Sequence, residues 1–262
     1  MRRLIAEYQE GKGVHLIHEI EGYFCPTLDI LHLTISVGLE EYKLIVYGLP
    51  GSGVSSTVNT ILGTEQMETK LSFDPTTKTC RLETCERLGY KFKVVDVPGF
   101  NAETSTNPDT DRFWGLKNGI ELLTPGPNVL ILVTQVDRYN EANNFLVHCL
   151  NCLEGISKYI IVVFTKGDTS KNSNTRGMIS KSENLRDLLA LSDGRFQLFD
   201  NTNKDDQQVQ TLMNMVKQIT DSNEKKYFGN SIFSPGSEEK LLSVVAQCEN
   251  KRKDVMQTCM NF

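Results

Sequence analysis

The chain has 262 residues, 39% hydrophobic and 23% charged, enough to bury a full core for one medium-sized domain with appendages, or for two small domains. Its formal net charge of -5 supplies no basic footprint and argues against DNA or RNA as partners. No apolar run approaches the roughly 18 residues that cross a bilayer, Met1 to Gly13 lacks the apolar centre of a secretory signal, and seven scattered cysteines suit reduced thiols, so a cytoplasmic chain is expected.

The first forty residues mix apolar and charged positions without a motif, although Phe24 to Val37 can supply a strand for a sheet edge. Lys43 to Tyr47 is a short β-branched run that reads as a buried strand, and Ser56 to Leu62 opens a helix. Between them lies a phosphate-binding loop without its lysine. In the pattern GxxxxGK[ST], closely spaced glycines let backbone N–H groups turn inward around phosphates, and the following helix adds its positive N-terminal end. Gly48, Gly51, Gly53 and Ser55 keep that arrangement, with Ser52 and Ser56 beside them, whereas Val54 stands where the lysine belongs. A valine neither donates a hydrogen bond nor carries charge. The cradle remains and its fixed cation is gone.

Strands are expected over 81–87 and 90–95, and the second runs into Asp96, Val97, Pro98 and Gly99, a DxxG element. In P-loop GTPases such an Asp holds the water shell of magnesium, and the Gly offers its N–H to the γ phosphate at the head of a switch. Alone, the Asp reads equally as an ordinary strand-to-turn residue. Asn101 to Asp111 is polar and is expected to be a mobile switch, followed by a helix over 111–123, a strand over 129–133 and a helix over 140–153. The helix carries Cys149 and Cys152, a CxxC spacing with no second Cys or His pair nearby, which reads as buried thiols rather than zinc or redox chemistry. A strand over 159–164 then delivers Thr165, Lys166, Gly167 and Asp168, matching the base-recognition element [NT]KxD. A carboxylate there accepts from both N1–H and the N2 amino group of guanine, while the lysine stem lies against the purine face. Adenine offers no such donor pair. An exposed loop over 172–181, a helix over 181–190, a strand over 196–199 and a helix over 205–221 complete an α/β pattern. All the motifs fall at carboxyl ends of strands, where mostly parallel sheets bind ligands.

With these motifs in order, the chain resembles the GIMAP/IAN family, the GTPases of immunity-associated proteins, P-loop GTPases related to septins and chloroplast import receptors. Ser55 to Gly63, SSTVNTILG, is similar to the family's SSTxNxILG. Gly126 to Glu141, GPNVLILVTQVDRYNE, resembles its box GPxxxLLVxQVxRxxxE. Gln207 to Phe233 looks like the last helix of its G domain and the following segment, with Tyr227, Phe228 and Asn230 in the expected places. The resemblance implies a three-layer, Ras-like P-loop GTPase domain with a mostly parallel central sheet over residues 41–233, preceded by an extension of unclear structure over 1–40. It further implies GTP/GDP with Mg as ligands and pairing of G domains in the GTP state. Through its switch motif, similar to Pro75 to Cys80, it makes Thr77 a magnesium ligand beside Ser55. Through its guanine loop, similar to Phe199 to Asn201, it places Asn201 at the base. Val54 departs from the family and puts hydrolysis in doubt.

Residues 234–262 form the last expected element, a C-terminal helical extension. There Leu241, Val244, Val245, Cys248, Val255, Met256 and Cys259 fall near one helical face, which reads as a helix docked on the G domain. The last four residues fit a loose CaaX pattern after Lys251 to Lys253, but Asn261 is a poor match, so lipidation of Cys259 is the disfavoured reading and membrane association stays open, though not by a transmembrane segment. The expected function is a guanine nucleotide-dependent switch or scaffold with weak or absent hydrolysis. A slow GTPase is the second reading, and an interaction module that no longer takes nucleotide is the third.

Overall fold

A computed structural model describes residues 3–9, 13–19, 38–64, 80–97, 108–135, 138–139, 141–165, 175–203, 205–229 and, beyond these, 239, 242–244, 246–247 and 250. By its contacts the chain divides into a unit Met1–Glu40 and a unit Glu41–Phe262. The first unit contains an antiparallel hairpin of β1 (Arg3–Gln9) and β2 (Gly13–Glu19), in register from Arg3 opposite Glu19 to Gln9 opposite Gly13. The strand expected over Phe24 to Val37 lies outside the described residues.

The second unit is built on a six-stranded sheet. Its members are β3 (Glu40–Gly48), β4 (Arg81–Arg87), β5 (Tyr90–Asp96), β6 (Val129–Gln135), β7 (Ile160–Thr165) and β8 (Phe196–Phe199), in the order β4-β5-β3-β6-β7-β8. β4 and β5 form a hairpin whose two turn residues, Leu88 and Gly89, both have positive φ, as the right-handed twist of paired strands favours. β3, β6, β7 and β8 run parallel, with Gly48 opposite Val133, Gln135 opposite Thr165, and Thr165 opposite Phe199. This register brings the carboxyl ends that carry the motifs to one edge. Every residue of β6 and β7 is buried, so helices cover both sheet faces.

The helices are α1 (Val54–Leu62), α2 (Pro108–Glu121), α3 (Glu141–Asn151), α4 (Thr175–Lys181), α5 (Arg186–Leu191) and α6 (Asp206–Ser222). Two expectations need correction. Residues 175–181 form helix α4 instead of an exposed loop, and the single helix expected over 181–190 is a 3-10 turn, Glu183–Leu185, followed by α5. The polar segment up to Asp111 is helical from Pro108, which suits a first helical position because it lacks an N–H that would go unpaired. At the C-terminal extension, Glu239, Leu242 to Val244, Ala246, Gln247 and Asn250 are helical, and Val244 packs against the core while Leu242 faces outward.

The end of the sheet away from the motifs is locked by two segments far apart in sequence. Lys43 N–H donates to Asn128 Oδ1 at 2.6 Å, and Asn128 Nδ2 donates to Lys226 O at 2.9 Å. Phe228 N–H donates to Pro127 O at 2.8 Å, and the Lys43 ammonium donates to Thr124 O while lying 5.0 Å from the Tyr227 ring centre. Gly126 has φ +150°, and a Cβ there would stand 2.1 Å from Phe228 O. Gly126→Ala is therefore expected to cost about 2–3 kcal/mol, from overpacking and backbone strain together. Urea unfolding should detect this as a lower midpoint.

Candidate functional site

The phosphate loop between β3 and α1 takes its shape from its glycines. Gly51 has φ +77° and Gly53 φ +97°, which L residues with side chains rarely adopt, and Gly53 caps α1 from that conformation. A Cβ on Gly48 would stand 2.4 Å from Val133 O and 2.6 Å from Ser52 Oγ. No larger residue fits there. Val54 is the first residue of α1, 9% exposed, and belongs to the apolar core with Val58 and Ile61.

The loop carbonyls are held from below. Gln135, at the end of β6, donates Nε2 to Gly51 O at 2.6 Å, and Thr165, at the end of β7, donates Oγ1 to Ser52 O at 2.7 Å. Ser52 N–H donates to Leu49 O at 3.0 Å. Ser52 Oγ and Gln135 Oε1 are buried without a hydrogen-bond partner, each a cost of about 1–3 kcal/mol that a structural core would avoid. Thr134 Oγ1, on the same strand end, accepts from Asn143 Nδ2 at 3.1 Å.

Ser55 Oγ donates to Asp96 Oδ2 at 2.8 Å. Asp96 is buried at the end of β5, and burial raises its carboxyl above the usual carboxylate range, against the lowering effects of the Ser55 hydrogen bond and the Arg81 charge. Cys80, close by, donates to Gly115 O at 3.3 Å, and burial followed by the Asp96 charge pushes its thiol up to about 11, so it is no thiolate nucleophile at neutral pH. A hydroxyl and a carboxylate side by side are hard oxygen donors of the kind magnesium takes, and magnesium needs no closed protein cage because it keeps several waters. Among the described residues no group of three or more His, Cys, Asp or Glu could hold a metal by itself.

Asn201 follows β8, and its amide bonds to Thr57 and Thr60 of α1. Ser56 is half-buried, and its carbonyl lies 3.0 Å from Thr60 Oγ1, whose single proton it shares with Asn201 Oδ1. Thr77, Gly99, Lys166 and Asp168 lie outside the described residues. The structure thus brings together the phosphate loop, Asp96, Thr165 and Asn201. Sequence reasoning passed over Gln135, though an amide ending the otherwise apolar and β-branched run VLILVTQ was its signal. The Thr57 and Thr60 hydroxyls gave none.

Solved structures with this fold are P-loop GTPases. A dimerization-deficient mutant of Toc33 from Arabidopsis thaliana superposes with a TM-score of 0.55 at 18% identity, covering 71% of this chain and 87% of that one. Era, in complex with MgGDPNP and a 16S ribosomal RNA segment, superposes with a TM-score of 0.52 at 14% identity, covering 69% of this chain and 57% of that one. The family profile described as AIG1 family matches residues 42–253, and the chain belongs to that family. It is 31% identical over 211 residues to immune-associated nucleotide-binding protein 9 of Arabidopsis thaliana, a match covering 76% of this chain and 60% of that one. To GTPase IMAP family member 8 of Homo sapiens it is 26% identical over 187 residues, 70% of this chain and 28% of that one. The matches span less than two thirds of these relatives' own lengths.

Proposed function

We propose that the chain is a guanine nucleotide-binding domain acting as a nucleotide-dependent switch or scaffold, with weak or absent GTP hydrolysis. The observation that carries this reading is the Ser55–Asp96 pair at 2.8 Å, beside a loop already shaped for phosphates. In it, backbone N–H groups from Gly51 to Ser56 bind phosphate oxygens, and Ser55 with Thr77 ligates Mg while Asp96 orients the water shell. Bound magnesium would neutralise part of the phosphate charge. Gly99 offers an N–H to the terminal phosphate, and Thr165, Lys166, Asp168 and Asn201 form the base end. Names of relatives in the family, GTPase and nucleotide-binding protein, agree with this assignment. Burial of Val54 in the core supports the weak-hydrolysis part, since no fixed cation stands at that point of the loop.

A nucleotide-dependent homodimer is part of the same proposal. It draws on the family resemblance and on a structure, with a TM-score of 0.56, described as showing that dimerization matters for GTPase activity of chloroplast translocon components. A cytoplasmic location is proposed from the free thiols Cys80, Cys85, Cys149 and Cys152. Among the described residues no helix is long and apolar enough to cross a membrane.

Titration with GDP, GTP and ATP, with and without Mg, tests the reading. Saturable binding of GDP and GTP, strengthened by Mg and much weaker for ATP, is expected. Equal affinity for ATP and GTP would sink the guanine assignment, and no binding at all would leave the interaction-module reading. Sedimentation with a non-hydrolysable GTP analogue should give dimers where GDP gives monomers; identical profiles would remove the dimer from the proposal.

A further inference from the structure

Asn201 occupies the turn where a base-contacting side chain is expected, yet both ends of its amide are engaged by α1. Its Oδ1 accepts from Thr60 Oγ1 at 2.8 Å, and its Nδ2 donates to Thr57 Oγ1 at 3.2 Å. Thr57 is fully buried, and Nδ2 also lies 3.5 Å from where a Cβ on Gly53 would stand. The other side of the turn is fastened to α6. Asp200 N–H donates to Gln208 Oε1 at 3.0 Å, and Gln208 Nε2 donates to the carbonyls of Asp200 and Asn203, both at 3.0 Å. At the C-terminal end of α1, Arg87 donates to the carbonyls of Thr60 and Ile61 at 2.7 and 2.8 Å and pairs with Asp206 of α6.

We propose that Asn201 is a positioning residue that straps the base loop to the helix growing out of the phosphate loop, so that both ends of a guanine nucleotide meet one rigid piece. This role rests on the nucleotide-binding reading above. The physical reason is geometric: α1 begins at the phosphate cradle, where Thr57 N–H donates to Gly53 O at 2.8 Å, and Thr57 with Thr60, one turn further on, holds the base loop at a fixed distance from that cradle. With the strap intact, base and phosphates bind without the loop having to be ordered first. Neither threonine needs to touch the ligand.

Thr57→Val and Thr60→Val keep side-chain shape and remove only the hydroxyls. The pair of substitutions together, and Asn201→Ala alone, should each weaken GDP binding by about tenfold and narrow the preference for GDP over ADP. Combining all three should weaken it no further than Asn201→Ala alone, because the groups act as one unit. In the protein without nucleotide, amide hydrogens of residues 199–203 should exchange faster in both variants. Unchanged GDP affinity in the double threonine variant, or additive losses in the triple, overturns the strap and returns Asn201 to direct base contact. Absence of GDP binding by the unmodified chain sinks the nucleotide reading and this role with it. Unchanged exchange at 199–203 in both variants overturns the strap by itself.

Discussion

Val54→Lys is expected to raise single-turnover GTP hydrolysis by about a hundredfold to a thousandfold, the usual effect of restoring one preorganised group at a site of developing charge. GTP affinity should change less. Backbone donors along the loop already serve the ground state, whereas phosphoryl transfer draws on added positive charge as electron density shifts toward the β and γ phosphate oxygens. The structure adds a cost in the opposite direction. Val54 packs in the apolar core with Val58 and Ile61, so a lysine must leave that contact and run its stem out to the cradle. About 1 kcal/mol or more of stability should be lost in the nucleotide-free protein, as it would be for any apolar side chain withdrawn from the core. Hydrolysis by the natural chain at a rate equal to or above that of the lysine variant, under the same Mg conditions, would refute the reading of Val54 as a brake on turnover.

Asp96→Asn should separate stability from function. Burial raises the carboxyl, so the folded chain holds a proton there more tightly than the unfolded chain does. Stability from that difference is present at low pH and lost as pH rises through the raised value. Above that value the buried carboxylate therefore weighs against folding. Its replacement by a neutral amide, still able to accept from Ser55, should stabilise the nucleotide-free protein by about 1 kcal/mol, or about 2–4 °C in Tm. The same change should weaken Mg-dependent GTP binding by about ten- to a hundredfold, the range for outer partners of a metal site. Thermal melts across pH 4 to 8 and parallel titrations give both numbers. A variant that is destabilised at neutral pH, or that binds GTP and Mg unchanged, contradicts the assignment of Asp96.

β3, β6 and β7 were legible because burial on both faces selects continuous β-branched runs, and the registers of Gly48, Gln135 and Thr165 follow from stacking those runs in parallel. α4 was not. TRGMISK contains a glycine and follows a polar stretch, and its described apolar anchor is Ile179, buried at 2% exposure, which sets no period of its own. The hairpin of β1 and β2 had its turn cue in Gly11 and Gly13, but mixed flanking runs hid the strands. At the site, the glycines and Ser55 announced themselves through local spacing. Gln135 and Asn201 bond across 84 and 141 residues of sequence, and only the assembled sheet brings those partners together.

The lock at the lower end of the sheet also orders events on the ribosome. Strands β3 and β6 can pair as soon as both have emerged, yet the Asn128 amide waits for a carbonyl 98 residues later, and Pro127 waits for the N–H of Phe228. Long-range closures of this kind are slow and come late. A nascent chain therefore carries an unfinished sheet end until almost the whole domain has been made, and a message cut short before Lys226 yields a product that chaperones and proteases meet as incomplete.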